Sequence, residues 1–452
     1  MKRRFLYGLL TIALTVNLLI GAAVYLYAAE SGQKDSAYPS LEIFSLVMEK
    51  VRREYVDGAN LTYQQLVRNA LKGMLNELDP HSEYMDPEKF QDLQNDTEGK
   101  FGGIGVVISV KDERLTVVAP MEDTPGFKAG IRTGDVIDRI EGKSTEHMSV
   151  QDAVKILRGD PGSEVTITVF RPSTGKMKDY TIKRAEIKVD MVKDINGARE
   201  FPLGENKIGY VRITQFGEKT ADELEVALNK LKAQGMRGLI IDLRWNPGGL
   251  LDQAVGVCEK FLPRGQLVVT TEGRSPAQSS VRKAAGRGDE IPGVPIVVLI
   301  NAGSASASEI VSGCLQDLKR AIILGERSFG KGSVQSIIEL SDGSALRLTT
   351  AKYYTPSHKV IHEKGISPNI EVLDSDEQEA ALLMRRSPGG VETLDQRERE
   401  RVESIPDPQM DRAMDVLKGI LLFTDRRPAG QSNDADGRMA ALAAPAAAGA
   451  EN

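Results

Sequence analysis

Cysteine and histidine are scarce in this chain: two cysteines and four histidines in 452 residues. Cys258 and Cys314 fall in apolar stretches of helical period, and no CxxC occurs. That argues against a thiol metal site and for two buried thiols rather than a disulfide. The histidines are His81, His147, His358 and His362. The last two stand in "HKVIHEK", but the order is not HExxH and no third ligand accompanies them. No metal is expected. Strong positive charge is also missing beyond the first four residues, and the net charge is −6. Nucleic acid is therefore not an expected partner.

What the chain has is length and alternation. A single core does not extend over 452 residues, so two or three domains are expected. "MKRR" is followed by Phe5 to Ala29 without one charge. As a helix this run reaches about 37 Å, enough for a bilayer. The basic residues before it orient the remainder outward. A cleaved signal peptide has a shorter apolar core and a small-residue site, and no clean A-x-A precedes Glu30. The expectation is an uncleaved single-pass anchor in the inner (cytoplasmic) membrane, with the working domains on the periplasmic or exterior side.

Residues 39–100 carry two segments of helical period, "LEIFSLVMEKVRREYV" and "LTYQQLVRNALKGMLNEL". This pair is a candidate surface for self-association or for an adaptor. From 101 to 187 the period is that of strands, with one short helix, "SVQDAVKILRG". From 188 to 375 strands and helices alternate: "KIGYVRIT", "KTADELEVALNKLKAQG", "GLIIDL", "LLDQAVGVCEKFL", "QLVVTT", "VPIVVLI" and "AIILGE". Continuous apolar strands between helices indicate an α/β layer with a buried sheet. Residues 376–452 hold one amphipathic helix, "DPQMDRAMDVLKGILLF", and an Ala-rich low-complexity tail.

Chemistry concentrates where "VPIVVLI" runs into "NAGSASASEI". A strand-to-helix turn is where α/β folds present reactive groups. Ser306 followed by Glu309 also fits a capping box, the plain structural role. A nucleophilic serine needs a base, and no histidine is placed for it. Lys331 lies between two glycines in "GERSFGKGSVQS". To act as a base it must lose roughly three pKa units, about 4 kcal/mol, which an apolar pocket supplies. In an extended chain Lys331, Ser333 and Gln335 share one face. Gln335 can orient the amine without adding charge. "DLRWNPGG" ends a buried strand, and its glycines free N–H groups for an oxyanion. Ala307 supplies a second N–H, with either Gly248 or Gly249 as the first.

"DLRWNPGG", "GSASASE" and "GERSFGKGSVQ", in that order, resemble the carboxyl-terminal processing (tail-specific) serine proteases of peptidase family S41. The 25-residue step from Ser306 to Lys331 is that family's own, and "LDPHSEYM" and "FGGIG" match it too. The resemblance implies an N-terminal helical segment, then a β-rich PDZ domain before an α/β crotonase-like serine protease core. It implies a Ser306–Lys331 dyad oriented by Gln335, with no cofactor and no metal. Gly102, Gly103, Ile104 and Gly105 would form the PDZ carboxylate loop, and Val154 and Leu157 its apolar pocket. Trp245 is a variation within the glycine turn. The implied substrates are extracytoplasmic proteins with free C-terminal tails. Two other classes compete: a tethered PDZ adaptor without activity, and a crotonase-like binder of acyl thioesters. The intact Ser306, Lys331 and Gln335 speak against the first, the PDZ segment against the second.

Overall fold

A computed structural model describes residues 37–425, except 59–60, 112–113, 122–123, 133, 173, 287, 387–390 and 392–393, together with Thr15. The chain divides into two compact units at Asp86/Pro87. In the first, helices α1 (Ala37–Glu54) and α2 (Tyr63–Asn76) precede a short strand, β1 (Glu83–Met85). Thr62 starts α2 through a reciprocal box with Gln65, each bond 3.1 Å long. Helix α1 buries none of its residues.

The second unit opens with α3 (Pro87–Glu98) and β2 (Lys100–Gly103). A β-rich domain follows: β3 (Val106–Lys111), β4 (Arg114–Pro120), α4 (Pro125–Lys128), β5 (Val136–Ile140), β6 (Lys143–Ser144), α5 (Val150–Leu157), β7 (Glu164–Arg171) and β8 (Lys176–Lys183). The strands form one antiparallel sheet in the order β3-β4-β5-β7-β8, with β6 on β5. Val165, Ile167 and Val169 alternate along β7 and enter the core with Ile137, Ile140 and Ala153. Arg171 grips Asp135 with two bonds of 2.7 Å, pinning the turn before β5 to the end of β7. β9 (Ala185–Lys188) returns to pair with β2, a two-stranded ribbon at the entrance to the domain.

The α/β layer contains β10 (Val192–Lys193), β11 (Ile208–Ile213), α6 (Thr220–Ala233), β12 (Gly238–Asp242), α7 (Leu251–Glu259), β13 (Leu267–Gly273), β14 (Ser280–Lys283), β15 (Ile296–Ile300), α8 (Ala307–Asp317), β16 (Ile322–Gly325), β17 (Ser333–Glu339), β18 (Ala345–Tyr354) and β19 (Ile370–Glu371). The main sheet has the order β10-β11-β12-β15-β16-β19, parallel from β11 onward. Leu239 and Ile241 face helices α6, α7 and α8, while Ile240 faces the other side. Both faces are apolar because both are covered, which explains strands with no polar alternation.

The second cover comes from the C-terminus. After α9 (Asp376–Arg386) and α10 (Gln396–Ser404), helix α11 (Pro408–Asp425) lays Ala413, Leu417 and Leu421 against Ile240, Val297 and Leu299. A second antiparallel sheet pairs β14 with β13, β13 with β18, and β18 with β17.

One expectation is corrected. Among the described residues no helix is long and apolar enough to cross a membrane, so a single-pass inner-membrane location is not supported. The run Phe5–Ala29 lies, Thr15 apart, outside the described residues, as does the tail after Asp425.

Candidate active site

β15 ends at Ile300, and the chain turns before α8 begins at Ala307. Three serine hydroxyls occupy this turn and the first helical residues, and two of them are spent on backbone. Ser304 Oγ donates to the Leu243 carbonyl at 2.8 Å, and Ser308 Oγ to the Asn246 carbonyl at 3.0 Å. Ser306 differs. Its backbone has φ 54° and ψ −110°, a region that costs a non-glycine residue about 1–3 kcal/mol. It heads α8 and is 8 % exposed. The capping box expected of Ser306 and Glu309 is present, with the Ser306 N–H given to the Glu309 carboxylate at 2.8 Å, and the Glu309 N–H also reaches the Ser306 carbonyl at 2.9 Å.

Glu309 does more than cap. Its carboxylate is fully buried and accepts four hydrogen bonds. They come from the amides of Ser306 (2.8 Å), Gly330 (2.7 Å) and Lys331 (2.9 Å), and from Ser328 Oγ (2.5 Å). Burial pushes this carboxyl above its usual range, and the four donors oppose that rise. The Ser306 and Lys331 amides share a single oxygen, Oε2. Residues 25 apart in sequence are thus fixed next to each other at the backbone.

The loop around Lys331 is held on both sides. The Gly330 carbonyl accepts from Glu363 N–H and the Gly332 carbonyl from Tyr353 N–H, each at 2.8 Å. A Cβ on Gly332 would lie 2.2 Å from the His362 amide, so only glycine fits there. The Lys331 side chain is half-buried. Gln335, on β17, gives its amide nitrogen to Ser333 Oγ (3.1 Å) and Thr349 Oγ1 (2.9 Å). Its amide oxygen is left as the acceptor.

The glycine turn lies against the serine. Gly248 and Gly249 have φ of 100° and 143°. A Cβ on Gly248 would stand 2.8 Å from Ser306 Cβ and 2.9 Å from the Ala307 amide. Asn246, fully buried, stitches this region: its Nδ2 reaches the Ile213 carbonyl, its Oδ1 takes the Gly248 N–H, and its own carbonyl takes the Ala305 N–H. The amides of Gly249 and Ala307 donate to no group among the described residues.

Behind the turn, Arg244 is wholly buried between Asp242 and Asp407, with contacts of 2.8–3.1 Å. Burial alone would raise the Asp242 carboxyl; the guanidiniums of Arg244 and Arg386 outweigh it and hold the group below the usual carboxylate range. Trp245 donates through Nε1 to Glu379 of α9, which ties the turn to the C-terminal helices.

The β-rich domain carries a groove of about 230 Å³. Gly103, Ile104, Gly105, Val154 and Leu157 line it together with Phe101. The loop turns its carbonyls away: Ile104 O accepts from Gly126 N–H, and Gly105 O from Met121 N–H. The amides of Ile104 and Gly105 have no acceptor among the described residues. Arg158 closes one end, its guanidinium 4.7 Å from the Phe101 ring centre. Gly102 is not part of this groove. It pairs across β2–β9 and faces the Gly159 carbonyl, in a neighbouring groove beside α3.

Cys258 and Cys314 are free, buried thiols on α7 and α8, and Cys314 Sγ donates to the Leu267 carbonyl at 3.9 Å. His358 pairs with Glu272 at 2.9 Å. Sequence reasoning took Glu309 only for a capping partner and overlooked Asn246 and Arg244. The detectable signal was a buried polar residue flanking each motif.

Comparison with known proteins now bears on the site. Residues 207–372 match the model of peptidase family S41, and residues 116–171 match a PDZ domain. The chain is 42 % identical over 376 residues to a carboxy-terminal-processing protease of Bartonella bacilliformis, covering 82 % of this chain and 83 % of that one. It is 36 % identical to the carboxy-terminal processing protease CtpA of Bacillus subtilis, covering 72 % and 67 %. A solved photosystem II D1 C-terminal processing protease is 31 % identical over 72 % of this chain and 86 % of that one, with a TM-score of 0.41. With its N-terminal helices, PDZ domain and following protease core, the chain belongs to peptidase family S41, among the carboxy-terminal processing proteases.

Proposed function

We propose that Ser306 is the nucleophile of a Ser-Lys endopeptidase and Lys331 its general base. The observation that carries this reading is the Glu309 oxygen that binds both of their amides. Neutral Lys331 takes the proton of Ser306 as Oγ attacks a peptide carbonyl, and passes it to the departing amine. Water, deprotonated by Lys331, then releases the acyl group. Gln335 orients the amine through its free amide oxygen. The oxyanion rests on the Ala307 amide and a glycine amide of the turn. Gly248 N–H is held by Asn246 Oδ1, which makes Gly249 the readier donor. The groove beside α5 takes a free C-terminal tail as an added strand. Its carboxylate meets the amides of Ile104 and Gly105, with Val154 and Leu157 around the last side chain.

The test is Lys331→Met. A positioned base contributes about 10²–10⁴-fold, so turnover of a tailed substrate should fall by at least that range with thermal stability unchanged. Wild-type kcat/KM should drop as pH falls and Lys331 gains its proton. A rate that stays level from pH 9 to pH 5, or a Lys331→Met enzyme within a few-fold of wild type, removes the lysine base.

A further inference from the structure

Trp245 is the only tryptophan in the chain. It takes the third place of a turn closed by the Asn246 N–H on the Leu243 carbonyl, at 3.1 Å, and its φ is 56°. A turn with positive φ at this place normally has glycine or asparagine there, and a bulky side chain is an outlier. Such a residue persists only where its surroundings over-determine it.

Here they do. The Trp245 N–H donates to Asn301 Oδ1 at 2.9 Å, and the Gly303 N–H reaches the same oxygen at 3.1 Å. A Cβ on Gly303 would stand 3.0 Å from Trp245 Cα and Cδ1, so the indole lies directly on the serine turn. From α9, Glu379 Oε1 accepts the indole N–H at 2.9 Å, and the Arg386 guanidinium is 5.2 Å from the ring centre. These two residues are seven positions apart and share a face of the helix. Arg386 also donates to the Asp242 carboxylate at the end of β12.

The next residue, Asn246, takes the Gly248 N–H on its side chain and the Ala305 N–H on its carbonyl, both at 2.9 Å. Movement at Trp245 therefore reaches both walls of the place where an oxyanion would rest: the glycine turn and the segment leading to Ser306 and Ala307. Pro247 and Gly249 are exposed, so the turn has little packing of its own. Oxyanion donors act by being held still before charge develops. We propose that Trp245 is a positioning residue: clamped by Glu379 and Arg386, it fixes the glycine-turn amides against Ser306. This rests on the Ser306–Lys331 reading above. Trp245 acts through Asn246 and Asn301, not on the substrate.

The experiment compares wild type, Trp245→Gly, Glu379→Ala, Glu379→Gln and Ser306→Ala on a tailed peptide that the wild type cleaves, with a peptidyl aldehyde of the same sequence as inhibitor. The aldehyde adds to Ser306 Oγ and sets its oxygen among the same donors. Losing one oxyanion donor outright costs about 10²–10³-fold, so a loosened turn should cost less. The expected fall in kcat is roughly 10- to 100-fold for Trp245→Gly and about tenfold for Glu379→Ala, with KM within about twofold and the aldehyde Ki raised by the factor lost in kcat. Glu379 is exposed, so Glu379→Ala decides the matter should Trp245→Gly fail to fold. Glu379→Gln keeps an acceptor for the indole and should keep the wild-type kcat. Tryptophan emission should change in Glu379→Ala and return in Glu379→Gln. A kcat within about threefold of wild type in folded Trp245→Gly or in Glu379→Ala overturns the proposal. So does a fall in kcat with the aldehyde Ki unmoved, a fall that Glu379→Gln shares, or emission that is the same in all three Glu379 forms. Ser306→Ala as active as wild type would overturn the nucleophile beneath it instead.

Discussion

Ser306 heads a helix beside the fully buried Glu309 carboxylate, which takes four donors, the Ser306 amide among them. The groove beside α5 is built otherwise. Val154 is half-exposed there, and the Arg158 guanidinium meets Asp96 at 3.7 Å. The contrast follows from what each region has to do. A reacting pair must be held within a fraction of an ångström, so its supports are buried and doubly bonded. A groove that adds a strand leaves amides unmet until a peptide arrives, as Ile104 and Gly105 do.

The sharpest way to break this comparison is Glu309→Gln. The amide nitrogen cannot accept, so either the Ser306 and Lys331 amides or the Ser328 hydroxyl and Gly330 amide lose their acceptor. A displacement of about 1 Å at such a site costs roughly 10²-fold. The expected result is a fall of that size in kcat, with KM for a tailed peptide little changed. Activity within threefold of wild type would show that the carboxylate only fills space.

The groove should respond in the opposite sense. Val154→Asp places a negative charge beside the tail carboxylate, worth about tenfold in affinity. KM for a substrate with a free C-terminus should rise by that factor. A C-terminally amidated peptide cleaved at the same bond should be nearly unaffected. Equal effects on both substrates would disconnect the groove from tail recognition.

The smallest effect lies behind the glycine turn. Burial, with Asp407 nearby, pushes the Asp374 carboxyl up to about 6, and its Oδ1 has no partner among the described residues. A carboxylate raised in the folded state destabilises the fold once ionised, so stability falls as pH rises through about 4 to 6. Asp374→Asn should therefore be more stable than wild type at pH 8, by about 1 kcal/mol or less after solvent screening, and equal at pH 4. Thermal unfolding at the two values checks the sign.

Much of the fold was legible for a local reason. "GLIIDL" and "VPIVVLI" are apolar without alternation because Ile240 and Val297 serve one core while Leu239 and Val298 serve the other. The strand of residues 238–242 and the helix of residues 307–317 therefore appear where periodicity placed them. Helix α11 was visible as an amphipathic segment, but nothing in it says that Leu417 closes the far face of the sheet. Helix α10 gave no signal, since "QRERERVES" buries none of its residues. Gly102 was grouped with the groove glycines because the loop reads as one motif. Its backbone instead continues β2 and faces the Gly159 carbonyl.

Residue spacing and period were enough to order the domains and to nominate Ser306, Lys331 and the glycines, because those signals repeat over a few neighbouring positions. Which hydroxyl stays out of the backbone network could not be read that way. Ser304, Ser306 and Ser308 look alike in the chain. Their roles part only when Leu243 and Asn246 arrive from 61 and 62 positions away to take the Ser304 and Ser308 hydroxyls. A hydrogen bond depends on distance and angle in space, and only the packed chain sets those for partners so far apart.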